Sequence, residues 1–276
     1  MPIELKELGK RPLVMGILNV TPDSFSDGGE FLDPEKAVEH AIEMAESGAD
    51  IIDIGGVSSR PGSKKVSIQE EIERVLPVVR EVCSKIDRPV SIDTVNAEVA
   101  ELAIAAGVNI INDISALRFD EKMGRIAAKY GCYLILMHMR GTPQNMQENT
   151  HYDDIIKEIR YFLNDASKKA KDLGVAGDKI IIDPGIGFGK STEGNLTILR
   201  NLHRFQDLGY PVLIGTSRKA FIGKILDLDA GERLEGSIGA ACYAVLNGAD
   251  IVRVHDVSET ARAIKIIEKI TGAAPA

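Results

Sequence analysis

Apolar, strand-like runs alternate with segments of helical periodicity along the whole chain. Within each run, alternate side chains face the same side, as they do in β-strands. A segment long enough for a helix follows each run, and this alternation is typical of βα units in a parallel sheet. We predict eight strands, at residues 13–19, 51–55, 89–93, 109–113, 133–138, 179–183, 211–217 and 250–255.

Two of the segments between the strands carry recognisable helix starts. Asp33 stands directly before Pro34, which predicts an N-cap followed by proline at the first helical position. Ser67 and Glu70 have the spacing of a capping box, in which each side chain binds the backbone of the other residue. Both starts therefore support helices after the first and second strands.

Eight βα units in about 250 residues are the expected size of a (β/α)8 barrel. No Pro-, Gly- or Ser-rich linker divides the units. We therefore predict an α/β fold, a (β/α)8 TIM barrel, with a single domain over residues 1–276. An open, doubly wound sheet is the alternative, but it typically has fewer strands and a Gly-rich nucleotide turn after the first one, which this chain lacks.

Composition narrows the class of protein. The chain has 276 residues, is 44% hydrophobic and has a formal net charge of −8. The acidic balance argues against nucleic acid as a partner. No apolar run reaches the ~18 residues of a membrane span, and the N-terminus lacks a signal-peptide pattern, so we expect a cytoplasmic protein without membrane contact. The three cysteines, Cys83, Cys132 and Cys242, show no pairing pattern and are predicted to be buried, reduced thiols.

One glycine-rich stretch, 183–191 (DPGIGFGKS), ends like a phosphate-binding loop. It fails the P-loop spacing because Pro184 stands where the first glycine is needed. It also fails the dinucleotide pattern, in which Lys190 would have to be glycine. We therefore predict a flexible loop after the sixth strand. The five histidines are scattered without a zinc-binding motif.

The predicted strands end in an unusually polar set of residues. In a barrel, the carboxyl ends of the strands form one mouth, where the chemistry of such folds takes place. Structural roles are an alternative for each residue alone: Asp93 could cap a helix, Asp53 and Asp113 could bind turn amides, and His138 could be a satisfied core histidine. The complete set is Asn19, Asp53, Asp93, Asn112, Asp113, His138, Asp183, Ser217, Arg218, Lys219, Arg253 and His255.

Two groups in this set differ in chemistry. Arg253 and His255 share a strand face and suit an anion, with Arg218 and Lys219 as further cations nearby. Arg60 is a third arm, on a loop with Gly and Pro that could swing in. The second group consists of acceptors and an amide, which match a planar ring edge that bears adjacent N–H and NH2 donors; its members are Asp93, Asn112 and Asp183. The sequence thus predicts a flat heterocycle deep in the barrel and an anion near the rim.

The loop after the first strand is long and polar before the helix signal at Asp33. Up to Gly29 it contains glycines, carboxylates and one aromatic residue, Phe25, a composition suited to a lid that orders over a ligand. Along the first strand, alternate residues face the core, and the last of them is an amide, Asn19. We expect this loop and residues 58–62 to be mobile in the free protein and to close over bound substrate.

Several motifs together resemble the signatures of the dihydropteroate synthase family. The resemblance covers nearly the whole chain, in order, through residues 17–28 (ILNVTPDSFSDG), 53–62 (DIGGVSSRPG), 91–94 (SIDT), 111–113 (IND), 183–188 (DPGIGF), 215–219 (GTSRK) and 253–255 (RVH). It implies a (β/α)8 barrel, usually a homodimer, that joins 6-hydroxymethyl-7,8-dihydropterin pyrophosphate to p-aminobenzoate in folate synthesis.

The resemblance also implies roles for single residues. The pterin would be bound by Asp93, Asn112, Asp183 and Lys219, with Met137 and Phe188 beside it. Asn19 would ligate Mg2+ on the pyrophosphate, whose oxygens Arg60, Arg253 and His255 would hold. The p-aminobenzoate pocket would form from Phe25, Ser59 and Pro61. Among these residues, Asp93, Asp183, Lys219, Arg253 and His255 would carry the catalysis.

Two positions depart from the family pattern. Ser59 stands where threonine is common, and Ala220 follows Lys219 where serine is common. Both would touch the p-aminobenzoate side. Two other functions stay open at this point: a pterin-binding methyltransferase domain that serves a corrinoid protein, and a pterin- or partner-binding protein without catalytic activity.

Overall fold

The computed structural model describes residues 5, 7–21, 33–58 and 66–272. Eight parallel strands follow one another around a barrel in the order β6-β5-β4-β3-β2-β1-β8-β7. A parallel bridge between Ile182 and Val212 joins the two end strands and closes the ring. The strands are β1 (Leu13–Asn19), β2 (Ile51–Gly55), β3 (Val90–Asp93), β4 (Ile110–Asp113), β5 (Tyr133–Met137), β6 (Ile180–Asp183), β7 (Leu213–Ile214) and β8 (Ile251–Val254).

The barrel predicted from the sequence is confirmed, with all eight strands at the expected places. Most strands are one residue shorter at one or both ends, and β7 retains only two of the seven residues predicted for it. The residues after Ile214 leave the sheet to form a turn that enters the next helix. The open doubly wound sheet is therefore excluded.

The described residues form ten α-helices around the barrel. They are α1 (Pro34–Glu46), α2 (Ile68–Lys85), α3 (Ala97–Ala105), α4 (Lys122–Tyr130), α5 (Ile155–Asp172), α6 (Thr192–Arg200), α7 (His203–Gln206), α8 (Ala220–Leu226), α9 (Leu234–Leu246) and α10 (Val257–Thr271). Asp33 caps α1 as predicted, since its side chain accepts from the amides of Glu35 and Lys36. Ser67 caps α2 through the amide of Glu70, whose own carboxylate is bound by Arg74.

The inside of the barrel is built in layers from alternate strands. Four isoleucines from the even-numbered strands form one fully buried layer, which we call the floor; they are Ile51, Ile110, Ile181 and Ile251. Two residues further along the same strands, and hence on the same face, stand four polar residues, which we call the mouth layer: Asp53, Asn112, Asp183 and Arg253. The polarity of the interior therefore changes within one step of the pleat.

The three cysteines are free thiols. Cys132 is buried as expected, but Cys83 and Cys242 are only half-buried, because they lie where helices meet the edge of the outer core. Burial raises the pKa of Cys83 and of Cys132 to about 11, so both are protonated at neutral pH.

Among the described residues, the structure contains no helix with the length and apolar character needed to cross a bilayer.

Candidate active site

The mouth layer is held together by one acceptor, the carboxylate of Asp53. Its Oδ2 accepts from Arg253 Nε at 2.6 Å and from Asn112 Nδ2 at 3.1 Å. The other arm of the guanidinium donates from Nη2 to Asp93 Oδ2 at 2.7 Å. Strands β2, β3, β4 and β8 thus contribute to one buried network, and the convergence predicted from the strand ends is confirmed for these residues.

Asp53 is the residue whose role the sequence missed. Its alternative role, binding a turn amide, is wrong, because its Oδ2 binds Arg253 and Asn112 instead. Its spacing of two residues from Ile51 was the available signal that it faces inward. The other oxygen, Oδ1, is buried and has no partner among the described residues, and the same is true of Ser91 Oγ on the neighbouring strand. The network therefore keeps unused acceptor capacity inside the barrel.

The hydrogen bond to Asp53 also fixes the amide of Asn112. Because Nδ2 donates to Asp53, the carbonyl Oδ1 of Asn112 is the atom that remains for a ligand. The two carboxylate oxygens of Asp183 also have different roles. Oδ1 accepts from the amide of Gly185 at 2.7 Å, which leaves Oδ2 for a ligand. The mouth layer thus offers acceptors to a ligand with N–H donors.

Burial and charge shift the pKa values of this layer. Burial raises the pKa of Asp183 to about 6, although Gly185, Lys219, Lys190 and Arg253 oppose it. Burial also raises the pKa of Asp93, against the pull of Arg253. For Arg253, burial lowers the pKa but Asp53 and Asp93 outweigh it, so that the guanidinium stays charged.

Lys219, the residue before α8, interacts with the charges of Asp183, Asp93 and Arg253. Its Nζ stands 4.2 Å from the ring centroid of Phe188, a cation–π contact. Burial lowers its pKa to about 8, and Asp183 opposes the shift. Phe188 packs with Met137 in a small apolar cluster, so the structure brings together two residues that the resemblance placed beside the pterin.

His255 has a different setting from Arg253. Arg253 reaches across the barrel to Asp53 and Asp93, so the two side chains do not present a single pair of free cations, as the shared strand face had suggested. The Oγ of Ser217 accepts from the backbone amide of His255 at 3.2 Å and lies 3.0 Å from its Nδ1. The Ser217 hydroxyl can therefore donate to Nδ1, which leaves the Nε2–H of His255 as a donor.

The lowered pKa of His255 also favours a neutral imidazole. Burial lowers this pKa to about 4, and the positive charges of Arg253 and Arg218 add to the effect. The imidazole is therefore neutral at pH 7. Arg218, predicted as a further cation for the anion, is paired with both oxygens of Asp256, at 3.1 and 2.5 Å.

A cavity of about 440 Å³ lies between α1 and the start of α10, next to the ends of β1 and β8. Asn19, His255, Arg218 and Asp256 all line it. The amide predicted to hold a metal and the imidazole predicted to hold an anion thus share one space.

Two other strand-end residues have the structural roles that were weighed against function. Asp113 accepts from the amides of Ser115 and Leu117, at 2.8 and 2.7 Å. His138 is buried and accepts at Nδ1 from Lys190, 3.0 Å away. Ala220, one of the two departures from the family pattern, is exposed at the first position of α8.

The loop after β6 differs from its sequence-based prediction. It was expected to be flexible, yet it is fixed by hydrogen bonds to β5 and α6 and carries Phe188 on its inner side. Four predicted site residues, Phe25, Ser59, Arg60 and Pro61, lie outside the described residues, as do residues 23–29 and 59–62 of the two predicted lid loops.

Comparison with known proteins gives one consistent result. The family model described as pterin binding enzyme matches residues 15–255. The chain is 49% identical, over 96% of its length and 92% of the relative's, to the dihydropteroate synthase of Synechocystis sp..

Two solved structures extend the comparison. A Yersinia pestis dihydropteroate synthase in complex with a sulfonamide drug has a TM-score of 0.92 and 42% identity, with 99% of this chain and 100% of that chain covered. The Xanthomonas albilineans dihydropteroate synthase in complex with 7,8-dihydropteroate has a TM-score of 0.85 and 40% identity, with 96% and 95% covered. The chain therefore belongs to the pterin-binding enzyme family, and within it to the dihydropteroate synthases.

Proposed function

We propose that this chain joins 6-hydroxymethyl-7,8-dihydropterin pyrophosphate to p-aminobenzoate, giving 7,8-dihydropteroate and pyrophosphate. The observation that carries the proposal is the mouth layer, where carboxylate and amide acceptors stand beside two half-buried cations, Arg253 and Lys219. The family to which the chain belongs supports the reaction. The chain is thus a transferase that forms a C–N bond as pyrophosphate leaves.

The acceptors of the mouth layer suit the pyrimidine edge of the pterin. Asp183 offers Oδ2 and Asn112 offers Oδ1, since their other polar atoms are already engaged. A 2-amino-4-oxo ring presents adjacent N–H and NH2 donors, which such acceptors can pair. Lys219, held over Phe188, can donate to ring acceptors and lies close enough to Asp183 to balance its charge. Unpaired acceptors in a buried site would reject a ring without these donors.

The pyrophosphate side would be served by His255 and Arg253. With Nδ1 bound by Ser217, a neutral His255 donates from Nε2–H to a phosphate oxygen as negative charge develops on the leaving group. Arg253 can contribute from the guanidinium edge that Asp53 and Asp93 leave free. Arg60 would add a second guanidinium, as the family resemblance implies.

The donor set is compatible with Mg2+ held largely by the substrate. Among the described residues there is no cluster of three or more His, Cys, Asp or Glu side chains that could hold a metal. Mg2+ keeps several waters and commonly takes one or two protein ligands together with substrate phosphates, and Asn19 lines the cavity in which His255 also lies. When bound there, the ion would supply charge neutralisation for the departing pyrophosphate.

The bond changes need no strong general base from the protein. The C–O bond to the pyrophosphate breaks with its electron pair on oxygen, the aromatic amine forms the new C–N bond at the pterin CH2, and it then loses a proton. An aromatic amine is already nucleophilic when neutral. The carboxylates of Asp93 and Asp183 stabilise the positive character that the pterin gains as the bond breaks.

Binding order is the part of the proposal that depends on the two loops. Closure of residues 23–29 and 58–62 over bound pyrophosphate would create the p-aminobenzoate pocket, with Phe25, Ser59 and Pro61 in its wall. p-Aminobenzoate should then bind only after the pterin pyrophosphate. Ser59 and Ala220, the two departures, bear on the affinity for this second substrate.

The two alternative functions receive less support. A methyltransferase domain would share the Asp and Asn acceptors but would not need the Arg253 and His255 arrangement. A binding protein without activity would not need the Ser217 contact that prepares His255 as a donor. The relatives described above are dihydropteroate synthases along nearly their whole length.

We also infer a homodimer, as the family resemblance implies, in the cytoplasm. Apolar side chains stand exposed on the neighbouring helices α9 and α10, among them Leu246 at 54%, Ile266 at 59% and Ile270 at 73%. Exposed apolar side chains on two adjacent helices suit contact with a second copy of the chain. Sedimentation should give a dimer, and a Leu246→Glu, Ile270→Glu double variant should give a monomer; a wild-type monomer at micromolar concentration would contradict the inference.

The test of the reaction is pyrophosphate release from the dihydropterin pyrophosphate. Release should depend on p-aminobenzoate, should stop with excess chelator and should return with Mg2+. Replacing Asn19 with Ala should raise the Mg2+ concentration needed for half-maximal rate while leaving the affinity for a phosphate-free pterin unchanged. Release that is independent of p-aminobenzoate would overturn the reaction, and full turnover in chelator would overturn the role of Mg2+.

A further inference from the structure

We infer that Lys190 is a positioning residue of this site: its buried ammonium fastens the loop after β6 to the end of β5 and so sets Phe188 and Asp183 for the pterin. The inference rests on the proposed function, since it concerns how the pterin pocket is held. Neither the sequence motifs nor the proposed mechanism gives Lys190 any role.

Three acceptors surround the ammonium of Lys190. Its Nζ donates to the carbonyl of Phe188 at 2.8 Å, to Nδ1 of His138 at 3.0 Å and to the carbonyl of His138 at 3.3 Å. The residue is only 4% exposed. An ammonium has three donors and no acceptor, so these contacts satisfy it completely. Burial, together with the positive charges of Lys219 and Arg140, lowers the pKa of Lys190 well below its ordinary value, and Asp183 opposes the shift. The geometry favours the ammonium form, because three acceptors around one nitrogen require three N–H donors.

The backbone of this loop lies close to its neighbours and bends at three glycines, while Ile186 and Phe188 supply its apolar packing. Gly185, Gly187 and Gly189 all have positive φ values, of 71°, 85° and 68°. A Cβ on Gly185 would stand 2.0 Å from the carbonyl oxygen of His138, so the loop backbone lies directly against the end of β5. The ammonium of Lys190 thus adds a polar anchor to the apolar one that Ile186 provides.

Other contacts on the loop are closer to the surface. Gln147 Nε2 donates to the carbonyl of Gly187 at 2.8 Å, and the hydroxyl of Tyr152 donates to the carbonyl of Gly189 at 3.0 Å. The first is exposed and the second half-buried, whereas the bond from Lys190 to His138 is buried. Lys190 is thus the inner anchor of the loop, because its ammonium binds both His138 and the backbone carbonyl of Phe188.

The same geometry excludes a phosphate site at the Gly-Lys-Ser sequence. Lys190 points into the protein, and Ser191 caps α6 by accepting from the amide of Gly194 at 3.0 Å. Both polar side chains of the motif are therefore engaged in holding the loop.

Lys190 also acts on the charge of Asp183. The charged groups that face this carboxylate are Lys219 at the start of α8, Lys190 in the loop and Arg253 on β8. The groups that face Lys190 are Asp183, Lys219, Arg140 and the neutral ring of His138. Removing the ammonium therefore takes away one of three positive charges that keep Asp183 ionised.

Lys190→Met and Tyr152→Phe make a matched pair of variants. Methionine keeps most of the side-chain volume without the charge, whereas phenylalanine removes an outer contact of the same loop and leaves the charge near Asp183 unchanged. Affinity for a phosphate-free pterin should be measured by calorimetry from pH 5 to 9. At pH 7, we expect Lys190→Met to weaken binding about 10- to 100-fold because Phe188 and Asp183 are displaced.

The pH profile separates positioning from a general loss of stability. In the Lys190→Met variant, the acid limb of pterin binding should move up by ~1 pH unit, because Asp183 is then protonated at higher pH. Tyr152→Phe should leave that limb in place. A folded Lys190→Met variant with the wild-type limb and affinity would overturn the inference, whereas a wild-type protein without pterin affinity would overturn the proposed function instead.

A measurement on the unaltered protein covers the case in which Lys190→Met does not fold. Nitrogen NMR of histidine-labelled protein should show His138 as a neutral ring, protonated at Nε2 and accepting at Nδ1, from pH 5 to 8. A His138 that titrates near its ordinary pKa would show that Lys190 does not donate to it, and the inference would be wrong.

Discussion

The floor and the mouth layer are built on the same four strands and yet have opposite chemistry. Ile51, Ile110, Ile181 and Ile251 are fully buried and pack against one another. Two residues further along each strand, the same face carries Asp53, Asn112, Asp183 and Arg253. These desolvated polar groups are stabilised by pairing with one another. Barrel stability and ligand binding are thus separated by about two residues along each strand.

The contrast between the floor and the mouth layer explains how a set of buried charges can be tolerated. Paired charges in an interior are seldom more stable than an apolar layer, and removing one partner is costly. The floor provides stability that the mouth layer does not, and the mouth layer provides the acceptors that a ligand needs. Changes in the two layers should therefore have separable effects.

The largest effect is expected from removing the cation of the mouth layer. Arg253→Met leaves the carboxylates of Asp53 and Asp93 buried without their partner, and should lower the free energy of unfolding by ~3–5 kcal/mol at pH 7. Urea unfolding measures it, with Arg253→Lys as the control that keeps a charge. Without Arg253, the folded-state pKa of Asp93 rises further above its unfolded value. The loss of unfolding free energy should therefore shrink as pH falls, because Asp93 becomes protonated. A loss that grows toward pH 5 would contradict the pairing.

In the floor, Ile181→Ala should lower the free energy of unfolding by ~2–5 kcal/mol because it opens a cavity among close-packed isoleucines. Ile181→Val, which removes a single methylene, should cost ~0.5–1.5 kcal/mol. Under conditions where the variants remain folded, both should bind a phosphate-free pterin as the wild type does. Weaker binding by the folded valine variant would show that floor and mouth are not separable.

In the mouth layer, Asp183→Ala should have the converse effect. Loss of its carboxylate leaves the donors of the pterin unpaired and should weaken binding by ~2–4 kcal/mol, as measured by calorimetry. Unfolding by urea on the same sample serves as the control for folding. Unchanged affinity would remove Asp183 from the pocket.

The smallest effect is a dependence on pH in the wild-type protein. Asp93 and Asp183 must both be ionised, and burial raises both pKa values, that of Asp183 to about 6, so kcat/KM should fall as pH drops toward and through 6. Lys219 must be charged and its pKa is lowered to about 8, so kcat/KM should fall again as pH rises through 8. Each limb should approach about tenfold per pH unit. A rate constant that stays flat from pH 5 to 9 would show that none of these groups titrates in the free enzyme.

The sequence by itself determined the barrel and most of the pocket. Alternation between strand and helix patterns placed seven strands within one residue at each end, because burial forces apolar residues onto periodic faces that can be read along the chain. The exception is β7, of which only two of seven predicted residues remain in the sheet. The strand ends placed Asp93, Asn112 and Asp183 at one mouth, since parallel strands bring their carboxyl ends together.

Only the tertiary structure decided which partner each polar group has. Asp53 holds Arg253 from 200 residues away, and Lys190 reaches His138 from 52 residues away. No local pattern encodes such pairs, because they depend on the closure of the barrel and on the direction of single side chains. For the same reason the sequence did not distinguish Lys219, which lies over Phe188, from Arg218, whose guanidinium pairs with Asp256.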